Sequence, residues 1–393
     1  MIYLDYAATT PLPEAVADTM YDVLRHQFGN PSAQYPLGRE AKELVEEARR
    51  TIAGALGCQP SALHFTSCGT ESDNWAIRLA AHQNRRVGKH IITTVVEHSA
   101  VLEPCRQLEQ EGYAVTYLAP DRQGNITAQQ VAEAIRDDTC LVTIMFANNE
   151  IGTIQPIEAI GAVCHERGVL FHTDAVQAAG HVKIDVNAMH IDLLSLSAHK
   201  FHGPKGVGML YRGLGDVYKR QIEGGAQERG KRGGTENVPG IAAMAAALTE
   251  ACANMDENTK KVTALRDKLI DGISKIPHCA LNGAREPRLP GNVNFCFEGI
   301  EGESLLLLLD AKGISASSGS ACTSGSLDPS HVLLAIGRPH DVAHGSLRLS
   351  LCEWNTDEEI DRILDAVPEV VEYLRGMSPL WKDLVSGKKP FTL

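Results

Sequence analysis

Between residues 14 and 255, short β-branched apolar runs alternate with segments of helical spacing, and that alternation constrains the fold more than any other feature. Leu37, Ala41, Leu44, Val45, Ala48, Ile52 and Leu56 recur at the period of a helix. Residues 63–66, 91–96, 114–118, 141–146, 169–173, 193–197 and 207–211 read as strands, with helical stretches at 128–136 and 157–167 between some of them. Strands that are apolar throughout need cover on both faces, so the expectation is an α/β fold on a mostly parallel sheet. After residue 255 the pattern changes. Residues 256–276 read as a charged helix, and 292–295 alternate like a strand. The expected organisation is a large domain over 14–255 and a smaller α+β domain made of 1–13 together with 256–393.

Composition narrows the function class. Across 393 residues, 37 Lys and Arg face 49 Asp and Glu, a net charge of −12, which argues against nucleic acid and anionic membranes as partners. The first residues carry an acid and lack a basic segment followed by an apolar run, so no secretory signal is expected. The longest apolar runs, 241–248 and 305–309, fall far short of the roughly 20 residues of a membrane span. Ten scattered cysteines without a CxxC pair fit reduced thiols in a cytoplasm, with neither a disulfide framework nor a metal cage.

In a sheet of this kind, ligands sit beyond the carboxyl ends of the strands, so the polar residues after each strand are the candidates. Ser67-Cys68-Gly69-Thr70-Glu71-Ser72 joins a strand to a helix; Gly69 permits close backbone approach, and a helix N-terminus with a hydroxyl suits a phosphate. The same string serves as an ordinary helix cap. His98 follows one strand, Asn148-Asn149-Glu150 another, and Asp174 a third, with Gln177 three residues on. A buried aspartate there needs a cationic partner, or acts as a cap. Ser197-Ala198-His199-Lys200 puts a lysine at a strand end, where desolvation favours a neutral, nucleophilic amine. Lys205 competes with it and reads as loop structure. Near the C-terminus, the small and polar run 315–325 presents Cys322, and Ser346-Leu347-Arg348-Leu349-Ser350 alternates with Arg348 on its polar face. An arginine fork suits a carboxylate, and a surface ion pair is the plainer alternative.

Taken in order, these segments resemble the cysteine desulfurases, the NifS/IscS-like group of fold-type I, pyridoxal-phosphate enzymes within the class V aminotransferases. The resemblance runs from Tyr3-Leu4-Asp5-Tyr6-Ala7-Ala8-Thr9-Thr10 through Asn30-Pro31-Ser32, the Ser67 and Asn148 strings and His172-Thr173-Asp174-Ala175-Val176-Gln177. It continues through Ser197-Ala198-His199-Lys200, Arg232-Gly233-Gly234-Thr235-Glu236-Asn237 and Ser318-Gly319-Ser320-Ala321-Cys322, the last in the manner of the long-loop, group I branch. Leu351-Cys352-Glu353-Trp354 departs from the usual Gly-Arg-Phe-like continuation, and Tyr6 stands where Asn is frequent.

The resemblance implies a role for each matching residue. Lys200 would hold pyridoxal 5'-phosphate as a Schiff base and move protons at the substrate Cα. Asp174 would pair with the pyridine nitrogen, Gln177 with the ring oxygen, and His98 would stack on the ring and serve as acid or base. Gly69, Thr70, Ser197 and His199 would hold the phosphate, and Thr235 would reach that of a neighbouring subunit, implying a homodimer with shared sites. Asn149, beside the cofactor, and Arg348 would bind the substrate carboxylate. Cys322 would take sulfur from L-cysteine as a persulfide, releasing alanine, and pass it to an acceptor of the iron–sulfur scaffold type. No metal is implied, and Cys352 is read as structural. A selenocysteine lyase or another class V aminotransferase is the alternative; a non-enzymatic sulfur carrier would not need Lys200.

Overall fold

The computed structural model describes residues 1–84, 87–213, 220–318 and 328–393. Its strands, in chain order, are β1 (Ile2–Tyr3), β2 (Leu63–Thr66), β3 (His90–Thr94), β4 (Ala114–Leu118), β5 (Thr139–Thr143), β6 (Leu170–Asp174), β7 (Leu193–Ser197), β8 (Gly208–Arg212), β9 (Cys279–Leu281), β10 (Asn292–Phe297), β11 (Ile314–Ser315) and β12 (Ser346–Ser350). Seven of them form one sheet in the order β2-β8-β7-β6-β5-β3-β4. All neighbours in it run parallel except those of β8, which is antiparallel to both β2 and β7. The sheet is therefore mostly parallel, with one reversed strand that returns from the Lys200 turn.

Local chemistry explains the helices around it. The apolar stripe of Pro36–Leu56 buries Ala41, Val45, Ala48, Ile52 and Leu56, and the helix stops at Gly57, whose left-handed φ of +72° a side chain would oppose. Helix Gly69–Gln83 keeps only a narrow polar stripe, Thr70, Asn74, Arg78 and His82, while Trp75, Ala76, Ile77, Leu79, Ala80 and Ala81 are all buried in a helix that packs on β5, β7 and β8 and on helix Ser99–Gln110. A helix that is apolar on most faces belongs inside, and this one carries the phosphate-like string at its N-terminus.

One extended apolar cluster runs from Val16 to Leu248 around the large sheet. A separate one gathers Ile2 and Leu4 with Val262, Leu269, Phe295, Leu347, Leu349, Ile363 and others. The second core is built on the antiparallel sheet β12-β10-β9 and the parallel pair β1-β11. In β12 the expected polar face is buried as completely as the apolar one. The first residues of the chain cover it, with Asp5 bridging to Ser350, and the segment after β11 covers it too, with Ser317 bridging to Arg348. Among the described residues no single helix is long and apolar enough to cross a membrane.

Candidate active site

A cavity of about 240 Å³ lies beyond the carboxyl ends of β6 and β7. Gly69, Thr70, His98, Asn149, Asp174, Gln177, Ser197, His199, Lys200 and Arg348 all line it. Residues scattered over some 280 positions thus meet because parallel strands deliver their ends to one side of the sheet, while β12 brings Arg348 from the second core. Thr235 is exposed and does not line this cavity. Cys322 lies outside the described residues, but both flanks of its segment are anchored at the cavity. Ser317 pairs through its backbone with Arg348 (2.7 and 3.2 Å), and Ser330 donates to Glu150, next to Asn149.

Lys200 ends a short 3-10 turn after β7, and its Nζ donates to the carbonyls of Ala7 (2.6 Å) and Ala8 (2.8 Å). Gln177 Nε2 donates to the same Ala7 carbonyl at 3.0 Å. The N-terminal segment is therefore a wall of the cavity. His199 is held by Thr9 Oγ1 at 3.2 Å, and burial together with Lys200 and Lys205 lowers its pKa to about 4, so it is neutral at pH 7.

Asp174, at the end of β6, is buried and accepts from the backbone N–H of Val176 at 2.9 Å. Burial raises its carboxyl above the ordinary range, against the pull of His98 and Lys200. It is an acid with too little positive charge nearby. Asp73, on helix Gly69–Gln83, is pushed well upward by burial and by Asp174, and its Oδ1 has no hydrogen-bond partner. Behind Asp174, His172 is fixed by Thr143 (2.7 Å) and Ser195 (3.0 Å), and burial drops its pKa to about 3.

The other wall is built from backbone-satisfied polar groups. His98 caps helix Ser99–Gln110, its Nδ1 accepting from Ala100 N at 3.1 Å. Asn148 is buried; it donates to Val96 O (2.9 Å) and accepts from Glu150 N and Ile151 N, which turns Asn149 toward the cavity. Arg348 is fixed by Asp5 Oδ1 (2.9 Å) and Asn149 O (3.2 Å), and its buried Nε has no partner. Those two bonds use two of its five N–H donors, so three remain for a ligand, the one on Nε among them.

Asp5, Asp73 and Glu97 are functional candidates that no sequence reading assigned a role. Glu97 is buried, accepts from Met145 N (3.0 and 3.1 Å) and Thr94 Oγ1 (2.8 Å), and has its pKa raised to about 8 by burial. Asp5 lies in the quoted Tyr3 to Thr10 string, while Asp73 directly follows the Ser67 to Ser72 string and Glu97 directly precedes His98.

The sequence profile described as aminotransferase class-V matches residues 2–363. The chain is 55% identical over 379 residues to cysteine desulfurase IscS of Methanosarcina thermophila, covering 96% of this chain and 94% of that protein. Among solved structures, a NifS-like protein superposes with a TM-score of 0.89 at 38% identity, covering 95% of this chain and all of the other. SspA in complex with cysteine superposes with a TM-score of 0.81, also at 38% identity, covering 91% of this chain and all of the other.

Proposed function

The chain belongs to the aminotransferase class-V family, and from that premise we propose that it is a pyridoxal-phosphate-dependent cysteine desulfurase. The observation that carries the reading is one cavity with a lysine amine, a buried aspartate short of a cation, and a buried arginine with a donor to spare. Relatives named cysteine desulfurase over nearly the full chain support the substrate, L-cysteine.

The residues fit the cofactor. A protonated pyridine nitrogen is the cation that Asp174 lacks, and it would bring that carboxyl back toward its ordinary range. At Gly69 a Cβ would meet Val176 Cγ2 at 2.7 Å, so a bare backbone is required where Gly69, Thr70, Ser197 and His199 would hold the phosphate. Gln177 would bond the ring oxygen, and His98 would lie on the ring face. When bound, the cofactor supplies an electron sink for negative charge developing at the substrate Cα.

The chain's own residues do the rest. Arg348 and Asn149 hold the substrate carboxylate, so that Cα faces Lys200. The amine of Lys200, surrounded by buried groups, takes the Cα proton; His98 is placed to hold or return one. The Cys322 thiolate attacks the substrate sulfur; the Cβ–S bond breaks, an S–S bond forms, and the products are alanine and a Cys322 persulfide. On either side of Cys322 in the chain, Ser317 pairs through its backbone with Arg348 and Ser330 donates to Glu150.

The persulfide then serves a sulfur-acceptor protein of the iron–sulfur scaffold type, in the cytoplasm. The chain acts as a homodimer; exposed Thr235, away from its own cavity, is the residue offered to the neighbouring subunit. The division into 14–255 and 1–13 with 256–393 is supported by the two separate apolar cores. The direct test is Lys200→Ala in cofactor-saturated protein. It removes the visible absorption band and the borohydride-trappable adduct on the Lys200 peptide; an unchanged spectrum contradicts the reading.

A further inference from the structure

A second cavity of about 250 Å³ lies between the two apolar cores, on the other side of the turn that carries Lys200. His202, Cys352 and Glu353 line it, and one donor atom from each lies within 4.8 Å of the other two. We propose that these three side chains form a binding site for a zinc-class divalent cation, with the fourth coordination position open to the cavity.

The orientation of His202 is the strongest argument. Its Nδ1 lies 3.0 Å from the carbonyl oxygen of Pro11, which can only accept. Nδ1 therefore carries the proton in the neutral ring, and Nε2 presents a lone pair. Nε2 is buried and makes no hydrogen bond; Glu353 Oε1 stands 3.5 Å away, an ion pair when the ring is protonated, and a metal held by both would take the place of that proton. A ring N–H given to a backbone carbonyl, with the other nitrogen bare, is how metal-binding histidines are set. The ring is locked by its own backbone N–H, which donates to Thr10 Oγ1 (2.8 Å), and by Trp354, whose ring centroid lies 4.6 Å away.

Cys352 supplies the soft donor. Its buried Sγ accepts from the backbone N–H of Trp354 at 3.4 Å, and a thiol in this position binds a metal as the thiolate, giving up its proton to the cation. Thiolate and carboxylate together balance a 2+ charge. The mixed S, N, O set favours zinc over magnesium or calcium, which prefer oxygen alone. Bond lengths of about 2.0–2.3 Å require the donors to close by roughly an ångström, and Glu353, only partly buried at the cavity wall, has room to do so. His181 bonds the Lys200 carbonyl at 3.1 Å, so the site would sit directly behind the lysine-bearing turn. No metal-ligand spacing announces it in the sequence, because His202 and Cys352 are far apart in the chain.

The test uses cofactor-loaded protein carrying Cys322→Ser, so that this thiol cannot bind zinc, stripped with chelator and dialysed against zinc chloride. The parent binds one more zinc per chain than the same protein with Cys352→Ser or His202→Gln, and Glu353→Gln binds that zinc about tenfold more weakly. Zinc-edge X-ray absorption of the parent shows one sulfur near 2.3 Å with nitrogen and oxygen near 2.0 Å. Should a variant fold poorly, a zinc-dependent rise in the parent's melting temperature that Glu353→Gln diminishes serves instead. Equal zinc in parent and variants, or a zinc shell without sulfur, overturns the proposal and leaves a His202–Glu353 ion pair only.

Discussion

Asp5 Oδ1 accepts from Arg348 Nη2 at 2.9 Å, joining the fifth residue of the chain to a strand near its other end at the mouth of the Lys200 cavity. With Nη1 on Asn149 O and Nη2 on Asp5, the guanidinium plane is fixed while three N–H donors, including that of Nε, remain. A lysine at this position keeps the charge and loses the fork. Arg348→Lys is expected to raise KM for L-cysteine by about 10- to 100-fold with a much smaller change in kcat, measured as alanine release. An unchanged KM would remove Arg348 from substrate binding.

Gly69 tests the cofactor cradle by size alone. Its Cβ would stand 2.7 Å from Val176 Cγ2, so Gly69→Ala must push Val176 and the neighbouring Asp174 out of place. Cofactor affinity is expected to fall about tenfold, read by titration of the stripped protein, and Gly69→Ala with Val176→Ala to recover most of it. Absence of that recovery would show that the clash is not what matters.

Glu97 gives a pH signature. Burial raises its folded pKa from 4.5 to about 8, so the folded state holds a proton there that the unfolded state releases. The stabilisation is complete below pH 4.5 and is lost as pH rises through 8. Glu97→Gln keeps an acceptor for Met145 N and cannot ionise. Denaturant unfolding across that range is expected to show the parent losing up to a few kcal/mol relative to Glu97→Gln. Parallel curves would place the Glu97 pKa near its ordinary value.

The strand and helix rhythm of residues 14–255 carried most of the large sheet, because buried strands leave continuous apolar runs in the chain. The reversal of β8 was not legible: a strand's own residues do not record the direction of its neighbours. Arg348 shows the same boundary within the site. Its residue type suggested a carboxylate, but its burial depends on Asp5 and Ser317 folding over β12, contacts between segments with no local signature. Asn149 facing the cavity follows from three hydrogen bonds made by Asn148, which adjacent identical letters cannot reveal. His202 beside Cys352 and Glu353 is likewise a product of two cores meeting.

Incubation of the cofactor-loaded protein with L-cysteine, with alanine and sulfur on the Cys322 peptide quantified in the same sample, bears most directly on the sulfur transfer itself. The expected result is equal amounts of alanine and persulfide in the first turnover, with Cys322→Ser retaining the cofactor spectrum but forming neither persulfide nor sulfide. Sulfide release by Cys322→Ser at the parent rate, or substrate consumption without alanine, would contradict it.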